Sequence, residues 1–241
     1  MQQPGVCGML HPFMERGSLD SEIKRANATG SRLTLTDKAR WCYEMSSAVF
    51  HTHFVARTYH MDIKPANFLL NAENDVILID WEQSGAPHYT LAPEADGTWD
   101  VRFLEVDPSH ENAHNAPPAR LIYKRYNGPP RENSVWSWPQ WNVFPEWRER
   151  FPRALEAAET FSLGRTLWLL LEQVSQSEIE NNRSVVVAWS KGEEDIPDDW
   201  KAIVYRCLEP DPNDRIGLAE VLNFWKDANK NYPTNSPQTS S

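Results

Sequence analysis

Apolar side chains recur along this chain with two different periods, and the changes of period divide it into elements. Trp41, Met45, Ala48 and Val49 fall at i, i+4, i+7 and i+8, which places them on one face of an α-helix. Thr36 or Asp37 ahead of this stripe supplies a side-chain oxygen for an N-cap, so a helix is predicted to run to about Thr52. Trp200, Ile203, Val204, Cys207 and Leu208 repeat the spacing, and Leu218, Val221, Leu222 and Trp225 form a last stripe. The segment 154–173 differs. It contains Trp168-Leu169-Leu170-Leu171 and is apolar on several sides, which predicts a helix enclosed by other elements. One stretch reads as sheet. Phe68-Leu69-Leu70 and Val76-Ile77-Leu78-Ile79 are short apolar runs separated by the polar turn Asn71 to Asp75, the pattern of two short strands. The predicted fold class is α+β, mainly helical, with one short β-hairpin. Beyond about Asn229 the chain turns polar, with Pro, Ser and Thr, and the tail 229–241 is expected to be disordered.

Composition narrows the setting. A chain of 241 residues fits one or two domains and buries a core without covalent staples. The 34 acidic and 24 basic residues leave a net charge of −10, which argues against general binding of nucleic acid or anionic membrane. Cys7, Cys42 and Cys207 are far apart and form no C-x-x-C spacing, so neither a zinc site nor a disulfide framework is expected, and a reducing compartment is the default. The first residues lack the basic and apolar regions of a signal peptide. The longest strongly apolar run, Leu167 to Leu171, is far too short to cross a bilayer. A cytoplasmic or nuclear location is expected, with no nucleic-acid or membrane partner.

The chemistry gathers around the predicted hairpin. His60-Met61-Asp62-Ile63-Lys64-Pro65-Ala66-Asn67 leads into the first strand, and Asp80 follows the second. The run resembles the catalytic loop and metal-binding strand of eukaryotic-type protein kinases, with Lys64 typical of the Ser/Thr branch. Two further segments carry the same resemblance. Glu159-Thr160-Phe161-Ser162-Leu163-Gly164 is similar to the start of the buried central helix of the kinase large lobe. Cys207-Leu208-Glu209-Pro210-Asp211-Pro212-Asn213-Asp214-Arg215 is similar to the C-L-x-x-D-P-x-x-R signature. The stretch from Met9 to Leu19 looks like the hinge between the lobes and the start of the helix after it.

The resemblance covers roughly residues 5 to 228 and implies a large lobe alone, with the small lobe missing. It implies ATP and Mg2+ as cofactors and a protein substrate. Asp62 would orient the acceptor hydroxyl, Lys64 would contact the γ-phosphate, and Asn67 and Asp80 would hold Mg2+. Phe13 and Met14 would offer backbone groups to adenine, Leu69 would lie beneath it, and Ser18 would lie near the ribose. Glu159 stands where the family has Asp, and its longer side chain must still reach backbone donors of the catalytic loop. His51 and His53 sit near the end of the helix predicted to run to about Thr52 with no third ligand at suitable spacing, and read as helix-end residues rather than a metal pair.

The activation segment of a kinase closes with A-P-E, whose Glu pairs with the Arg of the late signature. Ala92-Pro93-Glu94 is a literal match but lies 65 residues before Glu159, whereas Phe144-Pro145-Glu146 lies 13 before it; the family spacing is about a dozen. On that ground Glu146 is the expected partner of Arg215, and 83–143 is an expanded insert. Trp99, Trp136, Trp138 and Trp141 fall within it and Trp147 just after it, together five of eleven tryptophans. So much aromatic surface suits packing on the lobe or recruitment of a partner better than disorder.

The departures keep alternatives open. No Gly-rich loop or V-A-I-K lysine is present, Met61 replaces an Arg that commonly receives an activation-loop phosphate, and D-F-G reads Asp80-Trp81-Glu82. A catalytically inactive scaffold, binding a partner through the Trp-rich insert, is the main alternative. A small-molecule kinase of the aminoglycoside phosphotransferase type ranks lower, since those proteins usually lack the Lys64-type residue and the late signature.

Overall fold

The computed structural model describes residues 12–83, 85–104, 120–129, 131, 141–182, 185–190 and 196–232. Cys7, Met9, Trp136, Trp138 and the stretch 233–241 lie outside them.

Helix α1 (Leu19–Ala28) starts at Ser18, whose hydroxyl accepts the Ser21 N–H, with Asp20 and Glu22 in its positively polarised first turn. Helix α2 (Leu35–Phe54) begins slightly earlier than its apolar stripe indicates. Its cap is Thr34, in extended conformation, whose hydroxyl accepts the Asp37 N–H at 3.0 Å. The first turn of α2 is held by that bond before any stripe residue appears. Strands β1 (Phe68–Leu70) and β2 (Val76–Leu78) pair antiparallel, Phe68 opposite Leu78 and Leu70 opposite Val76. The turn between them is built by Asn71, whose side-chain oxygen accepts the Asp75 N–H at 2.7 Å. Asn74 takes the left-handed conformation that asparagine tolerates. Helix α2 grips this hairpin: Glu44 accepts the Val76 N–H at 2.8 Å and the Trp41 indole donates to the Asn74 carbonyl at 3.1 Å.

A second sheet, which the apolar pattern did not predict, joins β3 (Trp99–Phe103) to β4 (Leu121–Arg125). Charged residues alternate with apolar ones in β3 and close β4, Asp96-Gly97 precedes the first run and Asn127-Gly128 follows the second, but the two runs are far apart in the chain, so their pattern predicts no hairpin. Arg125 and Arg131 stack on the Trp99 and Tyr126 rings at 4.2 and 3.6 Å, and Asn213 clasps the backbone of Leu121 on both sides. Helix α3 (Phe144–Arg150) follows. Its Phe144 and Trp147 bury with Tyr59, Met61, Ala92 and Leu121 in a core of their own. The described part of the aromatic insert therefore packs on the rest of the chain.

Helix α4 (Pro152–Glu172) is buried along nearly its whole length. It contacts α2 and α6 (Asp198–Cys207), while α2 packs on α7 (Leu218–Asn231). The short α5 (Gln176–Ile179) carries a capping box between Ser175 and Glu178. Helix α7 continues to Asn231, so the expected boundary of the disordered tail at 229 falls inside a helix. Ala228 is buried in this last turn, and the Tyr232 ring just beyond it meets the Trp200 ring at 5.3 Å. Among the described residues no helix is long and apolar enough to cross a membrane.

Gly164 marks the closest approach of α4 to α6, because a Cβ there would stand 2.5 Å from the Cys207 Cβ. Gly164→Ala is expected to destabilise the chain by about 1–3 kcal/mol through overpacking, read as a lower urea midpoint with an unchanged m-value.

Candidate active site

The loop from His60 to Asn67 is suspended from α4. Glu159, 1% exposed, accepts the N–H of His60 at 2.8 Å and the N–H of Met61 with one oxygen, and meets Nε2 of His53 with the other. Met61 has φ 74°, a conformation that costs a non-glycine residue about 1–3 kcal/mol and persists only where the surroundings hold it. The two hydrogen bonds to Glu159 and the burial of the Met61 side chain do so. Thr166, two turns further along α4, donates to the Ile63 carbonyl at 3.2 Å. Burial by itself would raise the Glu159 pKa, but the His53 hydrogen bond and charge, the Met61 N–H and His60 outweigh it and hold the carboxyl below its ordinary 4.5. His53 lies in the last turn of α2, as expected, and there serves as the buried partner of Glu159. Its spacing from the loop was visible in the sequence, but nothing there showed that the end of α2 abuts α4.

Asp62, Lys64 and Asn67 form one cluster. Asp62 is 5% exposed. Its Oδ2 accepts from Lys64 Nζ at 2.6 Å and from Asn67 Nδ2 at 2.9 Å, and Asn67 Nδ2 also donates to the Asp62 carbonyl at 2.8 Å. The other carboxylate oxygen, Oδ1, is buried and has no hydrogen-bond partner. With the Asn67 nitrogen committed twice, its amide oxygen is left for another ligand. A short 3-10 turn at Pro65–Asn67 sets this geometry, and Pro65 opens it with a backbone angle already suited to the turn.

Asp80 joins from the far strand. Ile79, at the end of β2, donates its N–H to the Asn67 carbonyl at 3.0 Å, and its own carbonyl accepts from the His60 ring at 2.7 Å. That carbonyl fixes the His60 tautomer, since only a protonated Nε2 can donate to it. Asp80 itself is exposed, with φ 68°. Trp81 rests edge-on against the His60 ring at 4.9 Å between centroids. Met14, Leu69, Ile77, Ile79, Asp80 and Trp81 line an open cleft of about 470 Å3. The segment carrying Met14 is tied to β1 by Leu70, whose N–H donates to the Gly17 carbonyl at 2.8 Å.

Not every expected residue takes its expected place. Ser18 does not line the cleft; its hydroxyl is engaged at the start of α1, with the Ser21 N–H and Ser21 Oγ. Glu146 does not meet Arg215. It lies on the outer side of α3 and pairs with Arg150 at 2.6 Å. The partner of Arg215 is Glu94: Nη1 and Nη2 hold the two oxygens of its carboxylate in a fork, with Arg215 2% and Glu94 4% exposed. Arg215 also donates to the Ala157 and Glu209 carbonyls and lies over the Phe161 ring. The literal Ala92-Pro93-Glu94 was the right signal, and distance along the chain was the wrong criterion. The β3–β4 hairpin takes up the intervening length without separating Glu94 from α4. The segment 85–95 is accordingly not part of a loose expansion over 83–143; Tyr89, Thr90, Ala92, Glu94 and Ala95 are buried.

No protein-family model matches the chain. Over 77 residues it is 34% identical to a protein of Arabidopsis thaliana that carries the name L-type lectin-domain containing receptor kinase V.6. The match covers 30% of this chain and 15% of that relative. Part of the chain is therefore similar to a receptor kinase, and the stretch in common is a small fraction of the relative's length.

The two carboxylates separate sharply on mutation. Glu94→Gln leaves the Arg215 charge buried and uncompensated and is expected to cost about 3–5 kcal/mol. Glu146→Gln removes an exposed i,i+4 pair worth about 0.5 kcal/mol or less; urea unfolding of both variants gives the comparison. Glu159 has a depressed pKa, so its contribution to stability is complete above the ordinary 4.5 and is lost as pH falls through the lower folded value. Between pH 6 and 3 the fall in urea midpoint is expected to be shallower in Glu159→Gln than in the parent chain.

Proposed function

We propose that this chain is a protein kinase-like phosphotransferase of the Ser/Thr type, built as the large lobe of that fold, which moves the γ-phosphate of ATP to a protein hydroxyl. The observation that carries this reading is the state of Asp62. One oxygen is fixed by Lys64 and Asn67 while the other is kept free of protein partners, the arrangement needed by a carboxylate that must accept a hydrogen bond from an acceptor hydroxyl. Lys64 brings positive charge to the same point. The free amide oxygen of Asn67 and the exposed carboxylate of Asp80 are hard donors of the kind Mg2+ takes alongside phosphate oxygens and water. The apolar walls of the neighbouring cleft, from Met14, Leu69, Ile77 and Trp81, suit the flat face of a purine. The similarity of part of the chain to a receptor kinase supports the same reading. On this view Glu94 closes the activation segment, and the β3–β4 hairpin with α3 is the insert.

A second reading, a binding scaffold without catalysis, draws on Glu82. This exposed carboxylate stands two residues after Asp80 and adds negative charge where a nucleotide phosphate would approach.

Titration with Mg-ATP separates the two. The phosphotransferase reading expects a saturable rise in Tm, lost in Asp80→Asn; a ligand at 100 times its Kd adds about 2.7 kcal/mol to the folded state. It also expects phosphate transfer to a serine-containing protein substrate that disappears in Asp62→Asn. No thermal shift at saturating Mg-ATP would leave the scaffold reading, and equal transfer by Asp62→Asn would remove Asp62 from the chemistry.

A further inference from the structure

The segment 185–190, Val185-Val186-Val187-Ala188-Trp189-Ser190, belongs to neither sheet, yet it is built like a strand. Its exposure alternates with a period of two. Val185, Val187 and Trp189 are partly buried and pack against the main core, while Val186, 72% exposed, and the exposed Ala188 and Ser190 face outward. The residue types agree, since valine and tryptophan favour the pleated, half-buried surface of a sheet.

In such a segment the backbone groups of successive residues point to opposite edges. One edge is taken by α4. The Ala188 carbonyl accepts from the Trp168 indole at 2.9 Å, and the Ser190 N–H donates to Glu172 Oε1 at 3.0 Å. The Trp189 indole donates to the Tyr205 hydroxyl at 3.1 Å, which fastens the segment to α6 as well. The other edge carries the N–H and C=O groups of Val185, Val187 and Trp189. No backbone hydrogen bond joins these groups to any described residue. An edge with unpaired backbone groups is a template for another strand, and 185–190 contains neither the proline nor the charged side chain that commonly blocks such pairing.

We propose that 185–190 is a docking edge for a second copy of this chain, the two segments pairing antiparallel about a two-fold axis at Val187. The register selects this partner. Centred on Val187, the pairing sets Val187 opposite its own copy and Val185 opposite Trp189 of the other copy. In an antiparallel ladder every second pair exchanges both N–H···O bonds, and here those pairs are the residues whose backbone groups are free. The pair between them sets the exposed Val186 opposite Ala188, a larger side chain against a small one on the outer face. The absence of charge matters too, because each chain carries a net −10, and two copies meet at this edge with no like charges opposed. The contact is isologous and closes as a dimer. It is independent of the phosphotransferase reading.

Sedimentation equilibrium of the full chain over a concentration series reads the association, and a monomer–dimer equilibrium is expected. Val186→Lys combined with Ala188→Lys sets like charges opposite each other on the outer face and is expected to raise the dimer Kd by about tenfold or more. Val186→Lys combined with Ala188→Glu sets opposite charges there and is expected to restore association. Both positions face outward, so neither variant alters the core. Val187→Pro removes the central N–H, which has no partner within the described chain, and is expected to weaken the dimer in the same sense. If circular dichroism shows that this variant does not fold, the two charge variants decide. The docking edge is overturned by a parent chain that is monomeric at about 1 mM, by a dimer that the double-lysine variant leaves unchanged, or by a dimer that the Lys–Glu combination fails to restore.

Discussion

A carboxylate inside a helix that is buried on nearly every side is the point on which the rest hangs. Glu159 is costly to enclose unless charged and hydrogen-bonding groups surround it. The donors it finds are two backbone N–H groups of the loop before β1 and the ring of His53. Satisfying Glu159 therefore also fixes the loop. Met61 is held in a left-handed conformation, and the chain leaves it in the direction that sets Asp62 beside Lys64 and Asn67. Once the loop is anchored, the backbone of Asn67 meets Ile79, and Asp80 arrives at the same place from the end of β2. Helix α4 is thus more than a core filler, since it connects the most buried part of the molecule with the most polar.

A second buried ion pair does a related task, meeting α4 at the Ala157 carbonyl and the Phe161 ring. The Arg215–Glu94 fork, completed by carbonyls of Ala157 and Glu209, ties the loop before α7 to the segment 85–95. Its energetic character resembles that of the Glu159 cluster: the pair as a whole adds modest stability, but losing one member strands a buried charge. Both clusters place charged groups where simple hydrophobic packing would be cheaper.

Much of this was legible residue by residue. The stripes on α2, α6 and α7, the all-round apolarity of α4 and the first hairpin follow from period and turn chemistry, which are local properties. The cluster of Asp62, Lys64 and Asn67 was equally local, because a tight proline-led turn brings together side chains only a few positions apart. The β3–β4 sheet was not predicted: its two strands pair across a long separation in the chain, and arginine–aromatic stacking and Asn213 help hold them together.

By itself the sequence determined what short-range physics controls: which segments coil into helices, where the hairpin turns, and which side chains could carry phosphate chemistry. The tertiary structure decided which distant groups became neighbours. It gave Arg215 to Glu94 and not to Glu146, turned His53 inward to Glu159, and left Ser18 at a helix start instead of in the cleft. The reason is that a buried charge takes whichever partner the packed chain delivers. Separation along the chain says little about that delivery, because a self-contained hairpin can absorb tens of residues while returning its two ends to the same place.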